Sequence, residues 1–193
     1  MDPEQLRETI AAAKAGREDG YRGLLSAYGP RLYGYFLKAT GNSHDAEDLL
    51  SDLTLRLVRV LSRYDERGRF EPWLFRIAAN MVRDRIRRRK ANPSPASLSA
   101  EGDGGKPLID RLPDADAPVD AGLLAEEAGE QLRAALDELD EKTREMILLR
   151  HYGELSFKEI AAAFDCPLGT ALARVHRGLK SLRRRMGETH ASE

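Results

Sequence analysis

Residues 156–185 read SFKEIAAAFDCPLGTALARVHRGLKSLRRR, and this stretch decides the fold of the C-terminal part of the chain. Ser156 and Glu159 stand three apart, the spacing at which a hydroxyl caps a helix and a carboxylate reaches back to the amide of the cap. Ile160, Ala161 and Phe164 give the helix that follows a short apolar face. Asp165-Cys166-Pro167-Leu168-Gly169 then stops it, and Thr170 is of a type that caps a second helix. In the second helix Ala171, Val175, Gly178 and Leu182 fall on the inward side, while Arg174, Arg177, Ser181 and Arg184 lie on another face. Two short helices with a tight turn, the second with small residues inward and cations outward, suit insertion into a DNA major groove. A solvated basic helix would divide in the same way. It would not call for the capped helix before it, nor for the absence of any acid between Cys166 and Gly187.

The 193-residue chain has a net charge of −1, which hides its distribution. Residues 1–90 carry +5, residues 91–130 carry −7, residues 131–165 carry −3 and residues 166–193 carry +4. Two basic blocks flank an acidic middle, the footprint expected for a polyanionic ligand. With 41% hydrophobic and 33% charged residues, the composition favours soluble helices with solvated faces. Cys166 is the only cysteine, so no intrachain disulfide forms. No stretch has the pattern of a signal peptide or the length of a membrane span, so a cytoplasmic protein without membrane insertion is expected.

The pattern upstream is helical almost throughout. Helices are expected over about Glu4–Lys14 and Gly20–Thr40, then from a Ser43 cap to about Arg63, and from about Pro72 to Lys90. The third carries Leu49, Leu53 and Leu57 as one stripe, with Leu50, Val58 and Leu61 beside it, and acids on its other side. The fourth has Trp73, Leu74, Ile77, Ala78 and Met81, then six cations and one acid over residues 83–90. Its apolar residues read as core, with Trp73 either buried or partly exposed beside DNA; its basic end suits a phosphate track, which gives salt-sensitive affinity without sequence information. Beyond it, Pro, Gly and acidic residues without apolar periodicity read as a flexible linker with brief contacts through Leu108, Ile109 and Leu112. Helices near 123–138, 141–152, 156–164 and 170–185 follow. The expectation is all-α: residues 1–90 and 123–187 as two small helical domains, an acidic linker over 91–122 and a tail over 188–193.

The run LDELDEKTREMILLRHYGELSFKEIAAAFDCPLGTALARVHRGLKSLRR resembles the promoter-reading C-terminal domain of the sigma-70 family, in its extracytoplasmic-function (ECF) group. Leu148-Leu149-Arg150, Gly153, Ser156, Glu159-Ile160-Ala161, Pro167-Leu168-Gly169-Thr170, Arg174 and Arg177 carry the likeness. Upstream, AYGPRLYGYFLKATGNSHDAEDLLSDLTLRLVRVL resembles the core-polymerase-binding region of the same group, and FEPWLFRIAANMVRDRIRRRK the region that melts and reads the minus-ten element. The two likenesses cover about residues 20–90 and 125–185, in the family's order.

The resemblance implies a transcription initiation factor that brings core RNA polymerase to promoters. Asp45, Glu47, Asp48, Leu49, Asp52 and Arg56 would meet the clamp helices of the largest polymerase subunit; locally, the acids also favour the helix N-terminus, and Asp52 and Arg56 stand at ion-pair spacing. Arg67, Arg69, Phe70, Arg76, Asn80, Arg83, Arg87 and Arg88 would meet the opened minus-ten strand. Thr170, Leu172, Ala173, Arg174, His176, Arg177, Lys180 and Arg184 would meet the minus-thirty-five duplex. Double- and single-stranded promoter DNA, other core subunits and an anti-sigma factor are the further implied partners.

Two departures from the family pattern stand out. Leu172-Ala173 replace a cation and a hydroxyl, so the upstream element is read through fewer bonds, or Leu172 faces a protein. Leu139-Asp140 stands where Leu-Pro is common, which bears on a helix start. A sigma-like mimic that sequesters an inhibitor would be expected to lose the basic faces, and a simple helix-turn-helix regulator leaves the acidic helix without a role. The four histidines lack metal-ligand spacing and Gly102–Gly105 lacks a phosphate-loop pattern, so no enzyme, cofactor or metal is expected.

Overall fold

The computed structural model describes residues 1–65, 69–91, 129 and 131–189. The linker and its expected contacts at Leu108, Ile109 and Leu112, the start of the second domain, and Arg67 lie outside them. The described residues form helices and no strand, in two compact units divided between Pro113 and Asp114. The all-α expectation holds.

In the first unit, α1 (Pro3–Lys14) begins on a capping box made by Asp2 and Gln5, with proline in its first turn. It lies so close to α2 (Glu18–Thr40) that a Cβ on Gly20 would sit 2.2 Å from the Ala13 backbone nitrogen. Only hydrogen fits there. Gly41 ends α2 in the left-handed conformation, at φ 70°. Asn42, rather than the expected Ser43, then caps α3 (Ser43–Val60), its side chain accepting from the Asp45 amide at 3.0 Å. A 3-10 turn (Leu61–Arg63) finishes that element. The last helix, α4 (Phe70–Ala91), starts two residues before the expected Pro72.

The core of this unit lies where α3 turns Ala46, Leu49, Leu50, Leu53 and Leu57 inward and α4 buries Leu74, Phe75, Ala78, Ala79 and Val82. Val58, expected beside the leucine stripe, is 52% exposed. Phe70 packs in the core against Tyr28, tilted, and Tyr64, edge-on, at centroid separations of 5.4 and 5.3 Å, within the range at which aromatic pairs attract. Trp73 packs 4.8 Å from Tyr64 and remains half-buried. Lys14 closes the loop by donating from Nζ to the Tyr64 carbonyl at 2.9 Å.

In the second unit, helical residues 131–137 (α5) bury Ala135 and Leu136. Then come α6 (Glu141–Tyr152), α7 (Phe157–Ala163) and α8 (Leu168–Thr189). The first of these matches its expected bounds. Met146, Leu149, Leu155 and Ile160 are fully or nearly fully buried, and Ala171, Val175 and Leu182 of α8 close the core over them. The axes of α6 and α8 cross closely at Gly178, where a Cβ would lie 2.6 Å from Thr143 Cγ2 and 2.7 Å from Ile147 Cδ1.

Candidate nucleic-acid interface and docking face

The helix-turn-helix follows from its local chemistry. Ser156 Oγ accepts from the Glu159 amide at 3.2 Å, and Glu159 Oε2 accepts from the Ser156 amide at 2.7 Å, so the capping box is complete. Asp165 turns the chain in the left-handed conformation (φ 47°), and the Cys166 amide reaches back to the Ala161 carbonyl at 3.0 Å. The Pro167 carbonyl then accepts from the Thr170 and Ala171 amides at 2.9 and 3.2 Å. The second helix thus starts at Leu168, and Thr170 sits within its first turn rather than capping it.

On α8, Thr170, Leu172, Ala173, His176, Arg177, Lys180 and Arg184 all face solvent. Arg174 does not stand with them. Its Nη1 donates to Asp140 Oδ1 at 3.0 Å and lies 3.4 Å from Thr143 Oγ1, at the start of α6. Thr143 in turn donates from Oγ1 to Asp140 Oδ2 at 2.6 Å, and its amide donates to Asp140 Oδ1 at 3.1 Å. The Thr143 hydroxyl does most to hold the Asp140 carboxyl below its ordinary range; burial opposes it, and the Thr143 amide and then Arg174 add to the lowering. The sequence reading missed Leu168 and Leu179, which are 47% and 38% exposed and form one apolar line with Leu172. Their separations of four and eleven residues bring them together at 3.6 residues per turn, a signal available in the sequence.

On α4, Arg76, Asn80, Arg87 and Arg88 are exposed, as is Arg69 just before it, while Arg83 is half-buried. Arg83 Nη1 donates to Asn80 Oδ1 at 3.3 Å, and Arg87 Nη2 donates to Asp84 Oδ1 at 2.9 Å. Phe70 must be removed from the candidate DNA contacts. It is 2% exposed, and its ring is used within the core rather than offered to a base.

On α3, Glu47 is half-buried and Asp52 and Arg56 are exposed. Leu49, expected on the docking face, is 3% exposed and belongs to the core. Asp45 and Asp48 both bind Arg85 of α4, and Arg89 approaches Asp45 at 3.6 Å. Burial alone would lower the Arg85 pKa, but these carboxylates outweigh it and raise it. Beyond the acids, α3 exposes Leu55 by 64% and Val58 by 52%, two apolar side chains that the sequence reading did not place on this face. A groove between α3 and α4 runs beside them, floored by Leu49 and Met81 and edged by Arg56, Arg59 and Arg88. Among the described residues no cluster of His, Cys, Asp and Glu is arranged to hold a metal ion, and no helix is long and apolar enough to cross a membrane.

The arrangement is one of exposed charged and apolar faces on two helical units. Residues 24–92 match the family model for sigma-70 region 2, and residues 129–182 match that for sigma-70 region 4. The chain is 29% identical to the ECF RNA polymerase sigma factor SigW of Bacillus subtilis, over 94% of its own length and 96% of that protein. It is 33% identical to the RNA polymerase sigma factor CarQ of Myxococcus xanthus, over 90% and 92% of the two chains. It is 34% identical to the ECF sigma factor SigE of Mycolicibacterium smegmatis, over 88% of this chain and 62% of that one. In fold it is similar to CnrH, solved with the cytosolic domain of CnrY (TM-score 0.61, 21% identity, 94% and 97% of the two chains). It is likewise similar to RpoE of Bartonella quintana, solved with the anti-sigma factor NepR (TM-score 0.63, 21% identity, 86% and 96%). The chain belongs to the ECF group of the sigma-70 family and is a sigma factor of transcription initiation, a partner of core RNA polymerase and promoter DNA.

Proposed function

We propose that the two units divide promoter recognition between them. The first docks on the clamp helices of the largest polymerase subunit through the exposed side of α3, with Glu47, Asp48, Asp52 and Arg56 joined by Leu55 and Val58. An interface of this kind draws affinity from apolar side chains excluded from water, and orientation from the charges around them. The start and middle of α4, with Arg69, Arg76, Asn80 and Arg83, meets the opened minus-ten strand, and Arg87 and Arg88 track phosphates. By its place in the sequence, Arg67 joins this group.

The second unit grips the minus-thirty-five duplex through α8. The observation that carries this reading is the outward placement of Arg177 and Lys180, opposite a side that buries Ala171, Val175 and Leu182. Leu172 and Ala173 supply apolar contact, which suits thymine methyl groups better than a guanine edge. The phosphodiester chemistry belongs to the polymerase; this chain supplies binding, and it acts in the cytoplasm. An anti-sigma protein is the regulator this reading favours. RpoE of Bartonella quintana was solved with the anti-sigma factor NepR and CnrH with the cytosolic domain of CnrY, and Leu168, Leu172 and Leu179 give this chain an apolar surface a protein could cover.

The test is in vitro transcription with purified core polymerase on a promoter library. Initiation from a defined subset of templates is expected. Core binding without specific initiation from any template would make the chain a mimic that occupies the polymerase or its inhibitors.

A further inference from the structure

The bonding of Arg174 to an acid separates it from the outward Arg177 and Lys180 of α8, as the Glu138 partner separates Arg185 near the helix end. Its side chain is 34% exposed and shares its donors between Asp140 Oδ1 and Thr143 Oγ1. Thr143, 5% exposed, is a buried polar residue, and its hydroxyl is committed to Asp140. Asp140 also caps α6 through the Thr143 amide, so the carboxylate that meets Arg174 is itself fixed at a helix end. Along α8, Arg174 stands on the shoulder between the buried side and the exposed one, three residues from Arg177 and one from buried Val175. By contrast, Arg177 and Lys180 are fully outward, with no acid nearby in sequence.

Resting on the reading of α8 as the duplex-binding helix, we infer that Asp140 is a positioning residue that withholds Arg174 from promoter DNA, leaving Arg177 and Lys180 as the cations that grip the duplex. A cation already neutralised by a carboxylate releases little when it approaches a phosphate. The number of counterions released on binding therefore counts the arginines that are free to act. In a chain with proline in place of Asp140 the guanidinium would lack this partner. Asp140 thus sets the strength of the minus-thirty-five grip without touching DNA.

The test uses the full chain assembled with core RNA polymerase, on a promoter duplex selected from a random library by the native holoenzyme. The logarithm of the binding constant is followed against the logarithm of salt concentration. Arg177→Ala lowers the slope by about 0.9, the value for one phosphate contact. Arg174→Ala leaves it unchanged. Asp140→Asn, which keeps a capping side chain on α6, raises the slope by about 0.9 and tightens binding several-fold. Removing any carboxylate near DNA tightens binding somewhat, so Asp140→Asn is also made together with Arg174→Ala, and there the gain disappears. A purely structural network would move the melting temperature and not the slope. The inference is overturned if Arg174→Ala lowers the slope as Arg177→Ala does, or if the gain from Asp140→Asn persists without Arg174. If Arg177→Ala also leaves the slope unchanged, or no promoter can be selected, the duplex-binding role of α8 falls first and this inference with it.

Discussion

Two helices of this chain carry arginine-rich stretches, and they put them to opposite uses. At the end of α4, Arg85 is drawn into Asp45 and Asp48 of α3, with Arg89 close behind. On α8, Arg177 and Lys180 point outward, while Arg174 and Arg185 turn back to the acids Asp140 and Glu138. Position in the sequence does not distinguish them; what faces them does. An acidic helix packed alongside converts guanidinium groups into internal struts, while a helix whose neighbours are α6 and α7 keeps its outer cations available. A count of basic residues therefore overstates the DNA-binding capacity of both helices, since Arg85 and Arg89 of α4 and Arg174 and Arg185 of α8 face acids brought by other elements.

The largest expected effect tests the free side of this contrast. Arg177→Ala with Lys180→Ala should weaken promoter binding by the holoenzyme by about 2 kcal/mol, roughly thirtyfold, and lower the salt slope by about 1.8. Thermal melting should stay within about 0.5 kcal/mol of the native chain, because both side chains are exposed. A large loss of stability would mean that α8 spends these cations on its own fold.

The bound side predicts the reverse. Arg85→Ala leaves the carboxylate of Asp45, 17% exposed, with only the more distant Arg89 as partner, and should cost about 1.5 kcal/mol in urea unfolding. The salt slope for DNA should not change. If stability is untouched and the slope falls, Arg85 is a phosphate contact and the two helices are alike after all.

These partnerships explain which parts of the molecule could be read from the sequence. Local chemistry was legible: the Ser156–Glu159 capping box, the bounds of α6 and the inward set Ala171, Val175, Gly178 and Leu182 all follow from spacing within a few residues. Errors arose where two adjacent residues had the same chemistry, as with Asn42 and Ser43, or where a carbonyl rather than a side chain began the helix, as at Pro167. Phe70 was misplaced because the rings that bury it, Tyr28 and Tyr64, are brought to it by other elements. Leu49 was misplaced because it lies between the acids of one face and the leucines of another, and helical phase alone left its side open. The pairings of Arg85 with Asp45 and of Arg174 with Asp140 join residues 40 and 34 positions apart, beyond the reach of any helical periodicity.

A smaller effect comes from adding a cation where the family pattern has one. Leu172 is 41% exposed and holds no core position, so Leu172→Arg should leave the melting temperature unchanged. It should raise the salt slope by about 0.9 and tighten duplex binding by about 1 kcal/mol or less. An unchanged slope would show that this part of α8 does not face DNA, and would favour the apolar line of Leu168, Leu172 and Leu179 as a protein contact.

The smallest effect concerns Arg174, which with Arg185 is where α8 behaves like α4. The Asp140 carboxyl is held below its ordinary range by Thr143 and Arg174, so the folded chain favours its ionised form more than the unfolded chain does. A depressed folded pKa contributes stability that is fully present above the unfolded value, about 3.9, and is lost as pH falls through the folded value. Asp140→Asn retains the cap but lacks the charge, so at neutral pH it should be less stable by about 1 kcal/mol at most, the bridge being largely exposed. Measured by urea unfolding from pH 7 downward, the two stabilities should begin to converge below a pH of about 4 and meet only below the folded value. A difference that persists in acid would place the contribution of Asp140 in its geometry as a cap rather than in its charge, and Arg174 would then be held chiefly by Thr143.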